Sequence, residues 1–211
     1  MYTPASFRVA DVPTIHTFIE RHSFATLVSQ AGDEPFASHL PLLLDRDAAE
    51  NGRLIGHMAR ANPQWKSAAG TRVLAVFHGP HAYISPTWYE ADDTVPTWNY
   101  AAVHAYGVLT LIEDEARLRE IVERTVGVYE AGMPRPWTME LVGPAFVDKM
   151  LLGIVGFEIV IERLEGKWKL NQNHPVERRE KVVRGLEATG RVDDAAVAGL
   201  MREQLRSERP G

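Results

Sequence analysis

The chain has no cysteine among its 211 residues. That excludes disulfides, thiolate zinc sites, iron–sulfur clusters and a thiol nucleophile. It has no apolar run near the roughly 20 residues that span a bilayer. Its opening, "MYTPASFRVADVP", lacks a basic segment followed by an apolar one, so no signal peptide and a cytoplasmic location are expected. Nor is there an excess of positive charge. Lysine and arginine number 23 against 28 aspartates and glutamates, a formal net charge of −5, which gives no general attraction to nucleic acid. No Gly-x-Ser-x-Gly and no P-loop pattern is present, so hydrolase and nucleotide-triphosphatase readings lack a motif. What remains, with 45% hydrophobic and 24% charged residues, is the composition of a globular protein. Its length suits one large domain or a domain with a helical appendage.

Periodicity supplies the elements. Asp11 is placed to cap a helix carrying Ile15, Phe18, Ile19 and His22 at helical spacing. Strand patterns follow at 24–29, 35–44, 53–57 and 72–78, with a polar hairpin connection at 45–52. Asn62 and Pro63 read as the N-cap and first position of a short helix. Residues 82–85 continue a strand, and 103–112 form a long one. One face of the long strand is His104, Tyr106, Val108, Thr110 and Ile112; the other is Val103, Ala105, Gly107, Leu109 and Leu111. The small residues on that second face admit a ligand or another backbone. Asp114 caps a further helix with Leu118, Ile121, Val122, Val126 and Tyr129 on one stripe. After the turn "GMPRPW" come a helix over 139–151 and strands at 154–161 and 167–170. From Pro175 onward the pattern is two polar helices joined near Gly190. Their arginines and lysine (Arg178, Arg179, Lys181, Arg184, Arg191, Arg202, Arg206) are matched by acidic residues. Many strands broken by few helices favour an antiparallel barrel over alternating β-α units. The expected domains are a barrel over 1–174 and a helical tail over 175–211.

Four stretches carry chemistry. In "GHMARANPQWK", residues 56–66, a strand ending at His57 delivers Met58, Ala59 and Arg60 into a loop before the Asn62 helix start. Free N–H groups there, with Arg60 beside them, suit a phosphate; the same residues also make a capped surface helix with an exposed arginine. "HGPHAYISPTWY", residues 78–89, and "VPTWNYAAVHAYG", residues 95–107, are dense in rings. Trp88, Trp98, Tyr100 and Tyr106 offer flat surfaces and Asn99 an amide, as the ring system of a flavin requires, or they build an aromatic core. "KLNQNHP" sets Lys169, Gln172 and Asn173 at a strand end, within reach of an anionic ligand or merely in a turn. His78 and His81 are three apart across Gly79-Pro80, read as a turn, with no nearby carboxylate, so the case for a metal is slight.

These stretches, together with "MYTPASF", "ASHLPLLL" and "GIVGFEI", resemble the FMN-binding negative transcriptional regulators, the PaiB-like family. The likeness runs from residue 1 to about 173. It implies a Greek-key split β-barrel of the pyridoxamine-phosphate-oxidase type, α+β and mainly β, forming a homodimer with FMN at the subunit interface. It also implies that His57, Met58, Ala59, Arg60, Asn62 and Gln64 occupy the segment that meets the FMN phosphate. Gln64 stands where that superfamily frequently has lysine, with Lys66 close by. The resemblance favours the ring-bearing stretch 78–89 as a ligand wall, with some rings left to core or interface. It leaves three functions: an FMN-dependent oxidoreductase with an unknown small-molecule substrate, a transcriptional regulator, or a non-catalytic flavin-binding protein. The charge-balanced tail makes direct DNA contact doubtful.

Overall fold

A computed structural model of the chain describes residues 1–208. The strands are β1 (Arg8–Val9), β2 (Phe24–Ala31), β3 (Glu34–Pro41), β4 (Leu43–Asp45), β5 (Arg53–Ala59), β6 (Arg72–Ile84), β7 (Thr97–Ile112) and β8 (Ile154–Lys169). The helices are α1 (Val12–Arg21), α2 (Gln64–Ala68), α3 (Glu115–Glu130), α4 (Pro144–Leu151), α5 (Val176–Ala188) and α6 (Val192–Ser207). Seven strands hydrogen-bond in the order β3-β2-β6-β7-β8-β5-β4, and β1 adds to β8. The pairs β2 with β3 and β6, β4 with β5, and β8 with β5 and β1 are antiparallel.

The chain forms two compact units. The first comprises Met1–Ile15, His78–Val103 and the chain from Glu165 onward; the second comprises His16–Phe77 and His104–Leu164. Strands β6, β7 and β8 contribute residues to both.

In the second unit, β2 and β3 form a hairpin whose register runs from Phe24 opposite Pro41 to Ala31 opposite Glu34. The turn is made by Gly32, whose φ of +64° suits glycine. Strand β5 lies along β8 from Arg53 opposite Val160 to Ala59 opposite Ile154. The alternation expected for β7 is present: Ala105, Gly107 and Leu109 are buried and His104, Tyr106 and Val108 half-buried. What approaches its small face is backbone. A Cβ on Gly107 would lie 2.1 Å from the Val160 carbonyl oxygen. Helix α3 starts where expected, with the Asp114 carboxylate accepting from the Arg117 N–H at 2.6 Å.

In the first unit, Asp11 caps the start of α1, accepting from the Thr14 N–H at 2.9 Å. The two tail helices share a core with β6, its following turn and the end of β8: Ala82, Ile84, Tyr89 and Leu170 pack with Val182, Val183, Leu186, Val197, Ala198 and Met201.

Several boundaries differ from the expected ones. Strand β6 is continuous through Gly79-Pro80, not turned there. Its buried residues shift from odd positions (Val73, Ala75, Phe77) to even ones (Ala82, Ile84), and the glycine and proline take up that irregularity. Strand β8 runs unbroken across the polar stretch 162–166, where exposed Glu162 pairs with Arg72 and the Arg163 guanidinium lies 3.7 Å over the Tyr106 ring. The 35–44 pattern divides into β3 and β4. The 139–151 helix divides at Gly143, because Pro144 opens α4 as its first residue.

Candidate functional site

The sequence-predicted residues fall into two groups, one in each unit. The group in the second unit follows β5. His57 is half-buried, and burial holds its imidazole below the usual histidine range. Met58 is buried, whereas Ala59 and Arg60 are exposed. The Arg60 backbone N–H donates to the Gly153 carbonyl at 2.8 Å. Its Nε and Nη2 donate to the Leu152 and Ile154 carbonyls, each at 2.8 Å. Arg60 thus caps carbonyls at the C-terminal end of α4, where a cation is also favoured by the helix dipole. A cavity of about 370 Å³ beside it is lined by Trp65, Leu111, Glu113, Leu151 and Leu152.

Helix α2 begins one residue later than expected, at Gln64, with Pro63 before it. Asn62 still supplies the cap: its Oδ1 accepts from the Gln64 N–H at 3.0 Å while its Nδ2 donates to Ser38 Oγ at 2.8 Å. Gln64 is fully buried. Its Nε2 bridges the Leu27 carbonyl at 3.0 Å, Ser29 Oγ at 3.1 Å and the Phe36 carbonyl at 3.3 Å, tying the β2–β3 hairpin to α2. The donors of Asn62 and Gln64 are thus engaged within the protein, while Gln64 Oε1 is buried without a described partner.

The first-unit group differs. Trp98 is 53% exposed. Its ring lies 5.9 Å from Tyr83, edge-on, and 6.2 Å from His81. Lys169 Nζ donates to Thr97 Oγ1 at 2.5 Å and to the Trp98 carbonyl at 2.6 Å. Two residues back on β8, Lys167 is 6% exposed. Its ammonium donates to the Tyr2 carbonyl at 3.0 Å and lies 5.1 Å from the centre of the Tyr100 ring. Neither lysine forms an ion pair with any described carboxylate. Burial, with the Lys167 charge added, lowers the Lys169 pKa. Two ammonium groups near enough for the charge of Lys167 to act on Lys169, with no described carboxylate paired to either, make an arrangement that an anionic ligand relieves.

The remaining predicted residues serve other contacts. Trp88 packs into the tail-helix core, and its indole comes so close to α5 that a Cβ on Gly185 would lie 2.5 Å from it. Asn99 is fully buried, its Nδ2 facing Met201 Sδ at 3.4 Å and its Oδ1 without a described partner. Gln172 closes its own turn, accepting from the Leu170 N–H at 2.7 Å and donating to the Trp168 carbonyl at 2.5 Å. Asn173 is exposed. Sequence reasoning passed over Lys167; its signal was the two-residue spacing from Lys169, which sets both on one strand face. Among the described residues no cluster of three or more histidines and carboxylates is placed to hold a metal ion.

The fold is a split barrel of the kind found in flavoproteins. It is shared with a flavocytochrome from Azotobacter vinelandii (TM-score 0.61, 16% identity, 77% of this chain and 69% of that one). It is shared too with an FAD- and heme-binding protein from Mycobacterium smegmatis (TM-score 0.56, 14% identity, 84% and 80%). Residues 1–163 match the family described as "Putative FMN-binding domain", and the chain belongs to that family. FMN is the family's cofactor. A Bacillus subtilis relative, "Protease synthase and sporulation protein PAI 2", is 35% identical over 99% of this chain and 100% of its own length. An uncharacterized protein from Emericella nidulans is 30% identical over 80% and 81%. No helix among the described residues is long and apolar enough to cross a membrane.

Proposed function

We propose that this chain is a cytoplasmic, homodimeric flavoprotein whose FMN docks on the first-unit surface formed by Trp98, Tyr83 and Lys169, with the buried Lys167 adding its charge from the interior. The carboxylate-free lysine pair carries the reading. FMN brings a phosphate and a broad ring, and this surface offers positive charge and exposed rings together. When bound, the flavin supplies electron transfer between a reductant and an acceptor. The protein's own part is to hold it: Lys169 and Lys167 contribute charge, Trp98 a flat contact, and Thr97 and the Trp98 carbonyl fix the Lys169 ammonium. The competing reading, with the phosphate at Arg60, Asn62 and Gln64, rests on the family resemblance and would depend on Nη1 of Arg60. Its other donors are engaged with protein carbonyls.

Dimerisation is supported by the exposure of Trp98, Tyr83 and Tyr2, since exposed apolar rings on one surface commonly mark an interface. A regulatory role is suggested by the name of the Bacillus relative. We place it downstream of flavin binding, because a net charge of −5 gives DNA little to hold. The test is an absorption spectrum of freshly purified protein, then titration of stripped protein with FMN while sedimentation reports its mass. Flavin peaks or saturable FMN binding by a species of twice the chain mass are expected. Absence of any FMN binding by folded protein contradicts the proposal.

A further inference from the structure

The tail is nearly charge-balanced in composition, but its charges are not evenly paired. Arg179 is bound by Glu208, Lys181 by Glu90 and Glu177, and Arg202 by both oxygens of Glu187, at 2.8 and 2.7 Å. Once those pairs are set aside, Arg184 of α5 and Arg206 of α6 form no hydrogen bond or ion pair with any described residue, although Arg184 still feels the charge of Glu90, which Lys181 already pairs. Both are exposed, and both line one groove of about 350 Å³ between the two helices. The floor is apolar: Val183 is 2% exposed and Leu205 6%. Arg202, on the same wall as Arg206, is already neutralised by Glu187, and Glu180 across from it is itself engaged.

Helical spacing produces this arrangement. Val183 and Arg184 follow Glu180 by three and four residues, and Leu205 and Arg206 follow Arg202 in the same way. Each helix thus turns one apolar side chain and one cation without an ion-pair partner into the shared groove, beside Glu180 and the Glu187-paired Arg202. Two guanidinium groups on opposite walls, each with a fork of donors, match a dianion held between them. A phosphate monoester carries about −1.5 to −2 charges at pH 7. We infer that the α5–α6 groove is a binding site for a small organic phosphate, its head between Arg184 and Arg206 and its apolar body on Val183 and Leu205. The site is independent of the FMN proposal, since none of its residues belongs to the Trp98–Lys169 surface.

The full-length protein, with FMN present at saturation, is titrated with 1-naphthyl phosphate and, separately, with inorganic phosphate, with binding followed by calorimetry. Naphthyl phosphate is expected to bind saturably and more tightly than inorganic phosphate. Each of Arg184→Gln and Arg206→Gln is expected to weaken it roughly 10-fold, as loss of one charge-assisted contact does. Flavin content and thermal midpoint stay unchanged, because both side chains are exposed. Absence of saturable binding, or equal affinity in the double variant, overturns the inference. So does a result in which naphthyl phosphate fails while duplex DNA binds through the same two arginines, which assigns the groove to nucleic acid.

Discussion

The two units treat their polar side chains in opposite ways. In the second unit, Arg60, Asn62 and Gln64 spend their donors on the protein's own carbonyls and hydroxyls. In the first, Lys167 and Lys169 are packed together with two backbone carbonyls and a hydroxyl for company and no carboxylate. Satisfied groups stabilise a fold. Cations without a counter-ion cost stability until something anionic arrives, and such unrelieved charge is where a ligand does most. The contrast separates scaffold from site more sharply than sequence position does.

The largest effect that sharpens this comparison is at Gln64. Gln64→Ala strands the Leu27 carbonyl, Ser29 Oγ and the Phe36 carbonyl, two of them buried, and opens a hole beside the β2–β3 hairpin. It is expected to cost about 2–4 kcal/mol in urea unfolding while leaving the FMN affinity of the folded protein within about twofold. A large loss of affinity at unchanged stability would erase the distinction between the units. A smaller effect is expected with pH. Burial and Lys167 already lower the Lys169 pKa, so Lys169 surrenders its proton at a lower pH than an ordinary lysine. Only the protonated form attracts the phosphate. FMN affinity should therefore fall as pH rises from neutrality toward the ordinary lysine range of about 10, and the slope should flatten in Lys169→Gln. The apo protein's stability moves the other way, rising over the same interval, because the unfolded chain keeps this proton longer than the folded one.

Much of the fold was legible. Asp11 and Asp114 announce their helices because a cap is a local interaction, settled within three residues. The two faces of β7 are visible in the alternation from Val103 to Ile112. Strand lengths were less so. Gly79-Pro80 has the composition of a turn, and 162–166 is too polar to suggest a strand, yet neighbouring strands hold both extended. Within the candidate site, the sequence singles out Trp98 and Lys169, but it cannot reveal that Trp88 and Asn99 are covered by Gly185 and Met201, residues about a hundred positions away. The tail's charge balance conceals Arg184 and Arg206 for the same reason: pairing is a property of positions in space, not of totals.

FMN is proposed to rest on the lysine pair of the first unit, and a side-by-side FMN titration of Lys169→Gln and Arg60→Gln, each checked for folding by circular dichroism, decides it. Lys169→Gln should weaken FMN binding about 10-fold or more, the worth of one charge-assisted contact. Arg60→Gln should lose stability at the α4 end and keep its affinity. Unchanged affinity in Lys169→Gln together with a tenfold or greater loss in Arg60→Gln would contradict it and move the phosphate to the loop after β5.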